Sequence, residues 1–359
     1  MQSIPGMGAS VPARTSRYRT GVGVWLLRAL VVCLSFALAL ILAELVLHQG
    51  APASAVRRVE ASDMSVHDPL LGWSPAPGAR TRQRSREYDV AVRINSQGFR
   101  ADREYAPEPP PGTLRIVAVG DSFTFGQGVK LAHAWPSILE RRLANAEVVN
   151  LGVPGYGVDQ QLLMLESRGL RFRPDLVILG LHMPDVFRNT AAWHRGYGKP
   201  VFRFVGDELK LTNVPVPPPG PPPPPLRRGL LERSRLFQLV SVRLERHGFG
   251  EVWDVTEGIF RRMARVTAET DARLIVLLLP TQHAVYGNAL DRRLQARTAK
   301  RIAAILREIG IEHLDLTPAL AAAADRNPRE TLFYLGDGHF TAAGNRVVAE
   351  RILQHLATA

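Results

Sequence analysis

Cysteine is nearly absent from the 359-residue chain, because Cys33 is its only one. A single cysteine excludes an internal disulfide and any zinc or iron–sulfur site that needs several thiolates. Lysine is also scarce, since only 4 of the 45 basic residues are lysine, and no run of five like charges occurs. The net charge is +12, but aromatic residues make up only 7% of the chain. Without a basic tract interleaved with aromatic residues, no nucleic-acid partner is expected.

Several ligand-binding motifs are missing as well. Gly126 is followed by Gln127, so the glycines after residue 119 do not form a P-loop. The glycines of 152–157 have the wrong spacing for a dinucleotide-binding loop, and the Gly-x-Ser-x-Gly elbow of the α/β-hydrolases does not occur. His194 and His283 have no second histidine or carboxylate pair at metal-ligand spacing. We therefore expect neither a cofactor nor a metal.

A long apolar run lies near the N-terminus. Residues 21–47 contain only two charges, Arg28 and Glu44, and are long enough to span a bilayer. The preceding tail, 1–20, carries three arginines and no acid, which predicts a cytoplasmic tail, a single-pass signal anchor in the inner (cytoplasmic) membrane and an extracytoplasmic, periplasmic remainder. A cleaved signal peptide is the alternative, because small residues at 51–55 offer cleavage sites.

The rest of the chain divides by composition. Residues 48–112 are predicted to form a membrane-proximal segment with short strands, ending in a proline cluster. Residues 113–359 form the predicted main domain, interrupted by an insertion at 186–235. The insertion contains nine prolines between 215 and 225, a tract that favours a stiff extended spacer.

The main domain alternates short apolar runs with helical stretches. Apolar runs of strand length occur at 114–119, 147–151, 176–181, 274–279 and 311–316. Helical patterns lie between and after them, at 135–143, 160–168, 252–270, 290–309 and 342–356. Strands that are apolar on both faces and alternate with helices indicate a parallel sheet covered on both sides, which is an α/β fold.

Two local motifs carry the candidate chemistry. Gly120-Asp121-Ser122 directly follows the first core strand, at the edge of the sheet where open α/β folds bind their ligands. A serine becomes a nucleophile only when a base takes its proton and a third group orients that base. Asp337-Gly-His339 supplies both groups just before the last helix, where residues two apart in extended backbone point to the same side.

These two motifs together resemble the SGNH (GDSL) hydrolase family over about residues 113–359. The resemblance implies a three-layer α/β/α sandwich with a five-stranded parallel, flavodoxin-like sheet. It also implies that Ser122, His339 and Asp337 are catalytic and that the backbone amides of Ser122 and Gly152 contribute to the oxyanion hole. Residues 95–100 and the membrane-proximal segment resemble membrane-tethered bacterial relatives.

The chain departs from the family pattern in two places. The family's Gly-x-Asn-Asp block, whose asparagine donates to the oxyanion, corresponds here to residues 180–185. Aligning on Asp185 places Pro184 at the asparagine, and aligning on Gly180 places His182 there. An imidazole N–H can donate, so His182 is either a substitute donor or a strand-end histidine with a structural partner. The last block often reads Asp-x-x-His and is one residue shorter here.

The sequence therefore predicts a membrane-anchored serine esterase outside the cytoplasm. Its expected partners are the membrane and an acylated small molecule or glycan, with O-acetyl groups of exported or cell-surface glycan as the plausible ester. An O-acyltransferase acting on exported polysaccharide and a non-catalytic glycan- or partner-binding protein are the alternatives.

Overall fold

The computed structural model describes residues 19–49, 64–194, 196–219 and 249–358, which belong to two compact units. The described part of the first unit is helix α1 (Arg19–Gln49). Within it, the 20 residues Gly23–Leu42 are long and apolar enough to cross a membrane, and their side chains are exposed. Such a helix spans about 30 Å, the thickness of a bilayer's hydrocarbon core. Its length and composition fit either a membrane anchor or a signal sequence.

The second unit contains all the described strands and the remaining helices. The strands are β1 (Ser65–Asp68), β2 (Gly72–Pro75), β3 (Arg80–Arg84), β4 (Asp89–Arg93), β5 (Leu114–Gly120), β6 (Ala146–Gly152), β7 (Leu176–His182), β8 (Trp193–His194), β9 (Tyr197–Gly198), β10 (Val201–Val205), β11 (Glu208–Thr212), β12 (Arg273–Leu279) and β13 (Glu312–Asp315). The helices are α2 (Ser122–Phe125), α3 (Trp135–Arg142), α4 (Val158–Met164), α5 (Phe249–Ala268), α6 (Gln282–Tyr286), α7 (Ala289–Ile309), α8 (Thr317–Arg326) and α9 (Ala342–Thr358).

A five-stranded parallel sheet forms the centre of this unit, in the order β13-β12-β7-β5-β6. Each predicted apolar run is one of its strands, so the predicted sheet is confirmed. The register places Gly120 beside both Gly152 and Gly180, which aligns the carboxyl ends of β5, β6 and β7 at one edge. In parallel α/β sheets this edge is where ligands bind.

Helices cover both faces of the sheet. Helices α4, α5 and α7 pack with one set of alternate strand residues, which includes Val117 and Val177. Helices α3, α8 and α9 pack on the other face, against residues such as Ile116 and Ile178. Because successive strand residues point to opposite faces, an unbroken apolar strand is needed to bury both sides. The three-layer sandwich is therefore confirmed.

Residues 64–112, the described part of the predicted membrane-proximal segment, pack into the same unit as the sheet. Hairpins β1–β2 and β3–β4 are antiparallel. Trp73 and Phe99 are buried in the cluster that covers one face of the sheet, and Ile94 packs with Phe125 of α2. This segment shares the core of the main domain, so the proline cluster before β5 is a connection inside one unit.

The insertion after β7 contains two short antiparallel hairpins, β8–β9 and β10–β11, which the sequence analysis did not predict. A buried ion pair between Lys199 and Asp159 connects it to α4. The proline tract is described only as far as Pro219, and its remainder lies outside the described residues. Val216 at its start is buried and donates its N–H to Pro69 O at 2.7 Å, so this end packs on the unit rather than projecting as a spacer.

Candidate active site

Ser122 is the first residue of α2, directly after the central strand β5. Asp121 caps this helix, because its Oδ1 accepts the N–H of Phe123 at 2.8 Å. The turn from strand to helix is tight, and a Cβ on Gly120 would lie 2.1 Å from Thr124 Oγ1. Only glycine fits at position 120, between the end of β5 and the start of α2. The turn holds Ser122 at the carboxyl edge of the sheet.

The structure brings Ser122, His339 and Asp337 together. His339 Nε2 lies 2.7 Å from Ser122 Oγ, although the two residues are 217 positions apart. On the other side of the imidazole, His339 Nδ1 is hydrogen-bonded to Asp337 Oδ1. A hydroxyl, an imidazole and a carboxylate in this order form the arrangement of an activated serine nucleophile.

Asp337 is suited to hold the imidazole in one tautomer. Burial raises its pKa, but hydrogen bonds from His339 and from the Tyr88 hydroxyl outweigh burial and bring the pKa below its ordinary value. The carboxyl group is therefore ionised at neutral pH. A carboxylate beside Nδ1 keeps the proton on that nitrogen, so Nε2 presents its lone pair to the Ser122 hydroxyl.

Phe123 fixes the rings of two histidines at this edge. Its ring stacks on His182, with centroids 4.3 Å apart and an angle of 18° between the planes. Its centroid is also 5.0 Å from that of His339. The side chain that follows Ser122 thus contributes to holding the imidazole against the serine hydroxyl.

Gly152 has a structural reason to be glycine. A Cβ at this position would lie 2.3 Å from the backbone nitrogen of Phe125, so the residue permits α2 to sit on the end of β6. Its N–H donates to Asn150 Oδ1 at 2.9 Å. Because this amide already has an acceptor, the predicted oxyanion role of Gly152 does not fit the geometry.

Gly155, three residues after Gly152, has a backbone N–H that is available to bind an oxyanion. It is buried in the turn after β6, with a φ of 89° that favours glycine. Among the described residues, neither its N–H nor that of Ser122 donates to an acceptor. Sequence analysis assigned an oxyanion role to Gly152 in this stretch and none to Gly155. The positive φ could not be read from the spacing.

His182 lies at the end of β7 and points one nitrogen toward two acids. Its Nδ1 is 3.4 Å from Asp185 Oδ1 and 3.9 Å from Asp121 Oδ2. Burial, aided by the positive charge of Arg188, lowers the pKa of His182 to about 4, so the imidazole is neutral at pH 7. Nδ1 is buried and has no hydrogen-bond partner among the described residues. The acids near it favour the proton on Nδ1 by their charge alone, so we expect no Nε2–H to face an oxyanion.

Residues 118–347, more than half of the chain, match the GDSL-like lipase/acylhydrolase family. The chain belongs to this family. It is a carboxylic ester hydrolase of the GDSL (SGNH) type, and the matched stretch contains Ser122, Asp337 and His339. No curated protein matches its sequence.

Solved structures of similar fold come from several bacteria and a metagenome. One is a catalytic mutant of an acetylxylan esterase from Geobacillus stearothermophilus, with 15% identity, 67% of this chain and 92% of that chain covered, and a TM-score of 0.41. Another is a lipolytic G-D-S-L family member from Veillonella parvula, with 16% identity, coverages of 67% and 96%, and a TM-score of 0.38. A third is an alpha/beta hydrolase from the metagenome of Lake Arreo, with 16% identity, coverages of 68% and 94%, and a TM-score of 0.43. These similarities concern the fold and carry no argument about substrate.

The acids near His182 do not form a metal site in this GDSL hydrolase. The candidate ligand atoms of Asp121, His182 and Asp185 lie within 4.8 Å of one another. Arg188 Nη1 lies 2.6 Å from Asp185 Oδ1 and 3.9 Å from Asp121 Oδ2. The guanidinium already supplies the countercharge, and it would repel a divalent cation placed between these groups. The donor set therefore does not fit a divalent metal.

The other two histidines considered lie on α6 and β8. His283 is exposed on α6, and His194 on β8 stacks against Trp73 with ring centroids 6.3 Å apart. Sequence analysis missed Tyr88, whose hydroxyl donates to Asp337 Oδ2 at 2.9 Å. No local signal marks Tyr88, because it lies 249 residues away from its partner.

Replacing His182 tests its tautomer. We expect His182→Ala to lower kcat for a 4-nitrophenyl ester less than about tenfold, because losing a true oxyanion donor costs about 10²–10³-fold. The measurement is steady-state kinetics of the purified full-length chain, with His283→Ala as the matched surface control. A loss of 100-fold or more in His182→Ala alone would show that the imidazole donates to the oxyanion.

Proposed function

We propose that this GDSL hydrolase is a membrane-anchored, extracytoplasmic serine esterase that removes short acyl groups, O-acetyl among them, from cell-surface glycan. The observation that carries the catalytic part is the placement of His339 Nε2 at 2.7 Å from Ser122 Oγ, with Asp337 on the far side of the imidazole. Such a hydroxyl can be deprotonated as it attacks an ester carbonyl.

The proposed reaction has two halves. Ser122 Oγ attacks the ester carbonyl while His339 Nε2 takes the serine proton, and collapse of the tetrahedral intermediate breaks the bond to the alcohol, which leaves with that proton. Water then attacks the acyl-enzyme and gives its proton to His339. When the Ser122–acyl bond breaks, the carboxylic acid departs and the serine regains its proton. Asp337 stabilises the imidazolium that forms in each half.

The oxyanion is assigned to backbone amides. The N–H groups of Ser122 and Gly155 both lie at the carboxyl edge of the sheet and donate to no acceptor among the described residues. Because Ser122 is the first residue of α2, its N–H has no partner within the helix. Donors already in place are worth more than donors that must reorient during the reaction.

The location rests on the N-terminus. A 20-residue apolar stretch of α1 follows a tail with three arginines and no acid, and the positive-inside rule orients such a helix with its tail in the cytoplasm. The triad would then face the periplasm, where acylated glycans are within reach. An oxidising compartment also suits a chain whose only cysteine, Cys33, lies in α1.

Two assays test the proposal with the full-length chain in detergent and in the membrane. The first follows the hydrolysis of 4-nitrophenyl acetate, butyrate and octanoate, and the release of acetate from an O-acetylated glycan. We expect the acetate ester to be preferred and Ser122→Ala to be inactive. Transfer of acetyl to a sugar hydroxyl without release of acetate would instead identify an O-acyltransferase, and folded protein without either activity would indicate a glycan-binding protein.

The second assay measures topology. Protease added to spheroplasts should digest the domain after residue 64, whereas intact cells protect it. Resistance of this domain in spheroplasts would contradict the extracytoplasmic location. If the mature chain starts after residue 50 and is washed off the membrane, the apolar helix is a cleaved signal peptide and not an anchor.

A further inference from the structure

We propose that Tyr88, at the end of the β3–β4 hairpin, is a positioning residue of the triad, through which the membrane-proximal segment 64–112 completes the active site. The inference rests on the proposed function of Ser122, His339 and Asp337. It assigns a role in catalysis to a region that sequence analysis placed outside the main domain.

Both oxygens of the Asp337 carboxylate have partners in this structure. Oδ1 is bonded to His339 Nδ1, and Oδ2 accepts the Tyr88 hydroxyl at 2.9 Å. A carboxylate held at one oxygen can rotate away from its histidine, and a second donor on the other oxygen opposes that rotation. A hydrogen bond to a charged group is also stronger than one between neutral groups.

Asp337 has a particular need for this support. Only Gly338 separates it from His339, and that glycine has a φ of 89°. Hydrogen bonds from Gly338 N–H to Tyr334 O and from Tyr334 N–H to His339 O close this turn, but they hold its backbone and not the carboxylate group of Asp337. A contact from another part of the chain supplies the missing constraint.

Tyr88 itself is held in place. Its N–H donates to Ser85 Oγ at 3.2 Å, and its ring lies 5.0 Å from the ring of Tyr334. Burial, together with the negative charge of Asp337, raises the pKa of Tyr88 to about 12, so the hydroxyl keeps its proton at neutral pH. The Tyr88 hydroxyl therefore remains a hydrogen-bond donor at neutral pH.

The same hairpin holds the backbone of the Asp337 loop. The Glu87 carboxylate accepts the N–H of Gly336, with both oxygens 3.1 Å from the nitrogen. On the far side of the loop, Tyr334 OH donates to Gly128 O at 3.0 Å. The charged and titratable groups around Asp337 are thus His339, Tyr88, Tyr334 and Glu87.

The segment also contacts the other two loops of the site. The buried guanidinium of Arg100 donates to Phe125 O at 2.9 Å, at the end of the helix that begins with Ser122. Trp73 Nε1 donates to Pro154 O at 3.2 Å, next to Gly155. Each loop with a proposed catalytic role is therefore braced by residues 64–112, and Tyr88 alone reaches a member of the triad directly.

Removing one hydroxyl tests the proposal. For the full-length Tyr88→Phe variant in detergent, we expect kcat to fall about tenfold with KM unchanged, because a hydrogen bond to a charged group is lost and no substrate contact changes. The acid limb of the kcat/KM profile should move to higher pH, because the donor that lowers the pKa of Asp337 is gone. Tyr334→Phe is the matched control, because it deletes a neighbouring hydroxyl that is bonded to backbone.

The outcomes separate positioning from packing. Wild-type kcat and an unshifted pH profile in Tyr88→Phe would overturn the proposal, and so would equal losses in Tyr88→Phe and Tyr334→Phe. If the proposed function is wrong, the wild-type protein itself will show no esterase activity. In that case proton NMR still tests the role of Tyr88. The downfield resonance of the His339 Nδ1 proton should shift in Tyr88→Phe and stay unchanged in Tyr334→Phe.

Discussion

Ser122→Ala is expected to lower ester hydrolysis by about 10⁴- to 10⁶-fold without altering the fold. The Ser122 hydroxyl lies 2.7 Å from His339 Nε2 and can form an acyl-enzyme, and alanine leaves the imidazole with no proton to take. The serine side chain is small and lies beside the open edge of the sheet, so its loss should not disturb packing. Kinetics with 4-nitrophenyl acetate and a thermal melt of the same preparation measure both effects.

Ser96→Ala is the matched control, because Ser96 is exposed in the turn before Arg100. It should retain wild-type kinetics. If Ser122→Ala kept more than about a hundredth of wild-type kcat while folded, catalysis by this serine would be refuted.

Asp337→Asn is expected to lower kcat by about 10⁴-fold while leaving KM little changed. An amide NH₂ beside Nδ1 would donate to that nitrogen and shift the imidazole proton to Nε2, which faces Ser122 Oγ. A histidine in that tautomer cannot accept the serine proton. The pH profile should be measured together with kcat, because the loss concerns the tautomer rather than binding.

The exposed Asp207 provides the control for Asp337→Asn. Asp207→Asn makes the same chemical change away from the site and should leave kcat and KM unchanged. Equal kinetics of the wild type and Asp337→Asn would show that His339 does not depend on this carboxylate. The contact seen between Asp337 and His339 would then be structural only.

The sheet could be predicted from sequence because its signal is local. Each strand is a short apolar run that must bury both faces, and each run lies beside a helical pattern. Ser122, Asp337 and His339 could be found for a similar reason. Gly120 permits the tight turn that places Ser122 directly after β5, and Asp337 and His339 are two residues apart before α9.

What sequence analysis missed depends on contacts between distant residues or on backbone conformation. Gly152 and Gly155 are both glycines in one stretch, and only the hydrogen bond from the Gly152 amide to Asn150 Oδ1 separates their roles. The His182 ring stacks on Phe123 and has two acids within 4 Å of its Nδ1, a placement that depends on residues from two different strand ends. Tyr88 meets Asp337 across 249 residues, a pairing that neither composition nor periodicity contains.

The contacts of the predicted membrane-proximal segment with the rest of the chain were also not predictable from the sequence. Its arginines and turn residues predict a region next to the membrane, and the proline cluster near residue 110 predicts a domain boundary. In the structure its apolar side chains, Trp73 and Phe99 among them, complete the core that covers one face of the sheet. The sequence predicts short strands in this segment, but the wide spacing of its apolar residues does not show that Trp73 and Phe99 pack on the sheet.

The most direct measurement of the central claim is intact-protein mass spectrometry of the full-length chain after reaction with a fluorophosphonate probe. The account predicts one covalent adduct, located on the peptide that contains Ser122, in the wild type. Ser122→Ala should form none, and His339→Ala should react far more slowly, because its serine lacks a base. A folded wild-type protein that gains no adduct at saturating probe, or that carries it on another residue, would contradict the assignment of Ser122 as the nucleophile.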